Sequence, residues 1–123
     1  MFDKDLAREI LTQVYKSTQT ISRRFKPIES YDDFIATEEG LEKLDSICMQ
    51  LIAIGESLKN LDKITGKSLL KKYPEVEWKK VIGMRDVITH HYFDLDAEIV
   101  FDVCENHIEE LAHTVKKIIE DLV

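Results

Sequence analysis

The chain has 123 residues, 44% hydrophobic and 33% charged, which suits one globular domain with a real core and is too short for two. A formal net charge of −7 argues against broad, sequence-blind binding of a nucleic-acid backbone and leaves only a local basic patch for such contact. There is no run of about eighteen apolar residues, and Met1-Phe2-Asp3-Lys4-Asp5 is unlike a signal peptide, so a soluble, cytoplasmic protein without membrane contact is expected.

Four glycines and two prolines leave little material for turns, so the elements should be few and long. Apolar residues recur at three and four, which makes those elements helices. The expected fold is all-α, a four- to five-helix up-and-down bundle formed by residues 1–123 as a single domain. The two cysteines, Cys48 and Cys104, lack the paired spacing of a zinc site and fall in apolar stripes, so they read as reduced core thiols.

In chain order, Leu6, Ile10, Val14, Ile21 and Phe25 mark a first helix from about Asp3 to just before Pro27, with Lys4, Arg8, Glu9 and Lys16 on its outer face. Ser30-Tyr-Asp-Asp33 predicts a cap on one short turn around Phe34. Thr37 followed by Glu38-Glu39 predicts the start of a second long helix, because a hydroxyl cap and negative charge complement its positive end. Leu41, Leu44, Ile47, Cys48, Leu51, Ile54, Gly55, Leu58 and Leu61 give that helix an apolar arc wider than one packing stripe, which asks for more than one neighbour. Gly55 inside it predicts close approach of another helix, and Glu56 beside it is either a solvated charge or a polar residue of the site.

Residues 63–72 read as a linker with a short helix at Ser68–Lys72, and Trp78 opens a third major helix behind Pro74, Glu75 and Glu77. Lys71, Lys72, Lys79, Lys80 and Arg85 form the densest basic cluster, as a solvated face or as a contact surface. The third helix should carry His90, His91 and Tyr92 in its last turn, and Asp96 should cap a final helix running unbroken from Ala97 almost to Val123. His107 and His113 on that helix have no partner signature and read as surface or packing residues.

The chemistry gathers in Val81–Asp96, which holds one of four arginines and two of four histidines. A five-residue step from Arg85 to His90 turns about 140° on a helix, so the two do not share a face and one helix does not make a site alone. A two-fold axis beside this helix would bring two copies of Arg85, His90 and Tyr92 into one cleft. On composition alone the spacing is better met by an arginine paired with a carboxylate and a histidine capping its own helix end.

The stretch from Tyr73-Pro-Glu-Val-Glu-Trp78 through Gly83-Met-Arg-Asp86 and His90-His-Tyr92 to Asp96 and Val100 resembles the signature region of the HepT family of the HEPN superfamily. Leu51-Ile-Ala-Ile-Gly-Glu-Ser-Leu-Lys59 resembles that family's second-helix pattern. The resemblance implies a homodimeric helical bundle with an Arg-x4-His-x-Tyr motif at its interface, acting as a metal-independent endoribonuclease toxin with no cofactor. It also implies a partner, a minimal nucleotidyltransferase antitoxin that transfers AMP to the motif tyrosine. Carried onto this chain, Arg85 and His90 are the catalytic pair and Tyr92 the modification acceptor, with Asp86, His91 and Glu56 as candidates for support. Two positions depart from the pattern: Asp86 stands where asparagine is frequent, placing a negative charge beside the substrate phosphate, and Phe101 stands where tryptophan is frequent. A reading of another class, a non-catalytic helical partner of a nucleotidyltransferase, and a third, a cleft that binds a nucleotide without cutting RNA, are also compatible with the residues.

Overall fold

The computed structural model describes residues 2–123, so Met1 lies outside the described residues. Helix α1, Lys4–Phe25, starts where Asp3 accepts a hydrogen bond from the Leu6 N–H (3.1 Å) and stops ahead of Pro27. Its fully buried stripe is Ala7, Leu11, Val14, Thr18 and Ile21, at alternating steps of four and three. That stripe is rotated from the expected one: Leu6 is 42% exposed and Ile10 only partly buried, while Ala7 and Thr18 are fully buried. Thr18 is satisfied within its own helix by donating to the Tyr15 carbonyl (2.6 Å). Arg8, expected on the outer face, is partly buried.

Helix α2, Asp32–Ile35, is the single turn foreseen around Phe34, which is fully buried. The Asp33 carboxylate accepts from the N–H groups of Glu29 (2.8 Å) and Ser30 (3.3 Å), which fixes the approach of the chain. Helix α3, Glu38–Ile64, follows at once, with Thr37 Oγ1 accepting from the Gly40 N–H (3.0 Å). A β-carbon on Gly40 would lie 1.9 Å from the Asp33 carbonyl oxygen, so only glycine lets α2 fold back onto the first turn of α3.

At 27 residues α3 is about 40 Å long, and it is the centre of the bundle. It packs on α1 and α2 along one side and on α4 along another, which accounts for its wide apolar arc. Its end is a left-handed cap: the Gly66 N–H donates to the Lys63 carbonyl (3.2 Å) and the Lys67 N–H to the Asp62 carbonyl (2.8 Å), with φ of +62° and +60° at the two residues. A 3-10 turn, Leu70–Lys72, replaces the short helix expected there.

Helix α4, Trp78–His90, is anchored by Trp78, whose Nε1–H donates to the Tyr73 carbonyl (2.8 Å). Tyr73 in turn donates its hydroxyl hydrogen to Asp121 near the C-terminus (2.7 Å), tying this linker to the far end of the chain. Only Trp78 and Ile88 of α4 are buried, because α4 packs on α3 and leaves its outer side uncovered. It ends at His90; Tyr92 lies in the following 3-10 turn, Tyr92–Asp94, and not in the last helical turn as expected.

Asp96 caps α5, Ala97–Asn106, by accepting from the Glu98 N–H (2.9 Å). The final helix is not unbroken. His107, with φ −125°, separates α5 from α6, Ile108–Asp121, at a pair of residues with weak helix preference, Asn106 and His107. The apolar stripe stays in phase across the break, and the count of helices rises to six among the described residues. Val100, Ile108, Leu111, Val115, Ile118 and Leu122 are buried together with α1 and α3 residues in one core. Cys48 is buried in that core and Cys104 packs against it, both as free thiols pushed up to about 12 chiefly by burial. No described helix is long and apolar enough to cross a membrane.

Candidate active site

Helix α4 runs antiparallel along α3, and the contacts between them fix the position of each candidate side chain. At Gly55 the two helices nearly touch: a β-carbon there would be 2.9 Å from Arg85 Cβ and 3.2 Å from the Ile82 carbonyl oxygen. The glycine therefore seats Arg85 against α3, as the sequence predicts. The Arg85 Nε–H then pairs with Glu56 Oε2, one residue on from the glycine, and its Nη1–H with Asp86 Oδ1 (2.8 Å). Glu56 is thus paired with Arg85 while still largely exposed to solvent, and Asp86 is offset by the arginine beside it.

A guanidinium has five N–H donors in a planar fork, of which these two pairs take two and leave three for an incoming oxyanion. The Arg85 side chain is 30% exposed, so those donors are within reach of solvent. Thr89 donates its hydroxyl to the Arg85 carbonyl (2.9 Å), which closes the last turn of α4 on itself.

Tyr92 is fixed to a different point on α3. Its hydroxyl donates to Asp45 Oδ1, and that hydrogen bond, followed by burial and the Asp45 charge, pushes the phenol up to about 12. The phenol is accordingly held protonated. Asp45 precedes Glu56 by eleven residues, about 16 Å along the helix, so Arg85 and Tyr92 are moored far apart. His90 and His91 are exposed between them, and neither imidazole has a hydrogen bond or ion pair among the described residues. The chain therefore groups Arg85 with Glu56 and Asp86, and Tyr92 with Asp45, but does not pair Arg85 with His90.

The remaining candidates sort simply. Phe101 packs edge-on against Phe25 at 5.2 Å, a packing role. His107 lies 3.5 Å from Asp102, and His113 is exposed. Among the described residues no three His, Cys, Asp or Glu side chains gather as a metal site needs. Asp45 was missed from the sequence, since it lies 47 positions from Tyr92 and no spacing rule links them.

The model of the family described as Ribonuclease HepT-like matches residues 9–118, from α1 through α6 and across every residue of this site. The chain belongs to the HepT-like ribonuclease family. It is 31% identical over 113 residues to the Caldanaerobacter subterraneus subsp. tengcongensis protein named "Putative RNase TTE0752", covering 92% of this chain and 94% of that one. It is 30% identical over 93 residues to "Putative RNase MJ0127" of Methanocaldococcus jannaschii, covering 76% and 71%. A further relative from the same organism, "Gamma-glutamylcyclotransferase and putative RNase MJ0434", is 30% identical over 112 residues, which are 91% of this chain and 47% of that protein. No solved structure matches the chain. Ribonuclease activity is the coarse assignment these HepT-like relatives support.

Proposed function

We propose that this HepT-like chain is a metal-independent endoribonuclease, the toxin of a toxin-antitoxin pair, which cleaves single-stranded RNA in a cleft at a two-fold homodimer interface. The observation that carries the reading is the outer side of α4 and its turn. Gly83 has open space where a β-carbon would stand, Val87 is 45% exposed, and Phe93 is fully exposed. A mid-helix glycine costs about 1 kcal/mol relative to alanine, and nothing in the protomer calls for it. A second α4 packed across Gly83 would use that space and cover the apolar residues.

In that cleft RNA supplies its own nucleophile. His90 takes the proton of the 2′-OH, the 2′ oxygen bonds to phosphorus, and the bond from phosphorus to the 5′ oxygen breaks, leaving a 2′,3′-cyclic phosphate and a 5′-hydroxyl. The partner's His90 returns a proton to the leaving oxygen. Arg85 meets the charge growing on phosphorus with its three free N–H donors. Purified protein with His90→Ala and Arg85→Ala variants, incubated with RNA in chelator, tests this: cleavage should vanish in both, and equal cleavage by all three refutes it.

Silencing follows from the same turn. A minimal nucleotidyltransferase antitoxin would join the Tyr92 oxygen to the α-phosphorus of ATP with loss of pyrophosphate, and Asp45, already holding the hydroxyl hydrogen, would take the proton. Intact mass after co-expression, with and without Tyr92→Phe, reads this out. A second reading, a non-catalytic helical partner of the nucleotidyltransferase, draws on the two carboxylates that already occupy Arg85 and on the same uncovered apolar side. Growth arrest when the chain is expressed alone, relieved by His90→Ala, separates the two.

A further inference from the structure

Between the C-terminal half of α3 and the first turns of α4 lies an open groove of about 990 Å³, whose walls include Lys59, Lys63, Lys67 and Lys79 together with Glu56 and Asp62. None of these four lysines has an ion pair among the described residues; those that do are Lys80 and Lys117. Of the two carboxylates in the walls, Glu56 is already engaged by Arg85. In a chain of net charge −7 this is a local surplus of positive charge, and its wall residue Glu56 is the partner of Arg85, the guanidinium proposed to hold the scissile phosphate.

The arrangement is built from separate elements. Lys59 and Lys63 are one turn apart on the same side of α3, about 6 Å along its axis, on the scale of one nucleotide step. Lys79 reaches the groove from α4. Lys67 comes from the left-handed cap, at φ +60°, a conformation that glycine or asparagine adopts with far less strain than lysine. Lys67 therefore places its charge on the wall of the groove from a strained backbone position.

We propose that this groove carries the RNA strand to Arg85, with Lys59, Lys63, Lys67 and Lys79 taking its phosphates. The proposal rests on the ribonuclease reading above. The lysines position the strand and do not touch the reacting atoms, so they act on substrate binding and its salt dependence rather than on the chemical step. The basic cluster evident in the sequence, Lys71, Lys72, Lys79, Lys80 and Arg85, lends the groove walls only Lys79; Lys71 and Lys72 are exposed outside the groove.

The test uses a fluorescent single-stranded RNA oligonucleotide and the full chain. In a His90→Ala background, which keeps the strand whole, the combined Lys59→Gln, Lys63→Gln, Lys79→Gln variant should lower the slope of log K against log salt by about 2, at roughly 0.7 per phosphate contact on a single strand. With His90 intact the same variant should raise KM about tenfold and leave kcat within about twofold. Lys71→Gln with Lys72→Gln should change neither. Lys67→Gly should weaken RNA binding while raising the thermal midpoint, an opposition that a purely structural residue does not produce. A groove variant with wild-type slope and KM overturns the groove, whereas RNA cleavage that survives His90→Ala overturns the ribonuclease reading on which it rests.

Discussion

Replacing Gly55 with alanine sets two effects of known sign against each other. In an isolated helix the change would stabilise by about 1 kcal/mol, since glycine forfeits that much in a helix interior. Here the new methyl would sit 2.9 Å from Arg85 Cβ and 3.2 Å from the Ile82 carbonyl, against about 3.5–4.0 Å for two carbons at rest. Both neighbours are backbone or attached directly to it, so no side chain can swing aside, and α4 must retreat by roughly 0.5–1 Å. Overpacking of this kind costs about 1–3 kcal/mol, so Gly55→Ala should be destabilised by about 0–2 kcal/mol in urea unfolding at fixed protein concentration. The larger effect falls on activity. Arg85 rides on the displaced segment, and a shift near 1 Å in a positioning group costs about 100-fold in rate, so kcat on RNA should fall by one to two orders of magnitude. A Gly55→Ala protein that is about 1 kcal/mol more stable than wild type and cleaves RNA at the wild-type rate would refute the close approach as the device that seats Arg85.

Gly83→Ala is the contrasting case, because its β-carbon meets open space: the protomer should gain up to about 1 kcal/mol, while self-association measured by sedimentation should weaken, and unchanged association would remove Gly83 from the proposed interface. Tyr73 is pushed up to about 12 by burial and by its hydrogen bond to Asp121, so its protonated form favours the fold; that contribution is complete below about 10 and is lost as pH rises toward 12. Tyr73→Phe should therefore make the alkaline fall in unfolding free energy shallower between pH 10 and 12, with the thiols of Cys48 and Cys104 still contributing to it, and an unaltered fall would rule out the Tyr73 link. Asp45→Asn should return the Tyr92 phenol from about 12 toward 10 in a carbon-13 tyrosine titration, and a phenol that stays at 12 would mean Asp45 is not the cause.

The helix starts were legible because each is local chemistry: Asp3, Thr37 and Asp96 accept from backbone N–H groups two or three residues on, as side chains of their type do at a helix start. The break at His107 was not, because the apolar stripe keeps its phase on both sides and no proline or glycine interrupts it. The Arg85 environment was half legible. Gly55 announced a close approach and Glu56 stood beside it, but which helix would approach, and at which residue, depends on how α4 lies along α3. The pairing of Tyr92 with Asp45 depends on that placement alone. The basic groove shows the same limit: neighbouring lysines in the sequence disperse over a turn and a helix, whereas Lys59, Lys63 and Lys67 meet Lys79 only because α4 doubles back beside the end of α3.

An arginine already paired with two carboxylates looks like a poor phosphate clamp, and the exposure of those carboxylates decides the matter. Glu56 and Asp86 are 60% and 58% exposed at the side chain, so water screens both pairs. Exposed ion pairs are typically worth about 0–1 kcal/mol each, and releasing one is a small cost. A phosphate offering paired oxygens to the fork gains two charge-assisted hydrogen bonds, roughly twice as strong as neutral ones. Of the two carboxylates Asp86 is the one to yield, since it follows Arg85 directly on α4, whereas Glu56 holds Nε from α3 and keeps the fork aimed. Asp86→Asn should then lower KM for RNA with little change in kcat. Glu56→Gln should lower kcat, because it loosens the mooring while leaving the charge on Arg85 free. The opposite assignment of the two effects, read from steady-state cleavage of one RNA at fixed salt, would show that Asp86 aims the guanidinium and Glu56 merely screens it.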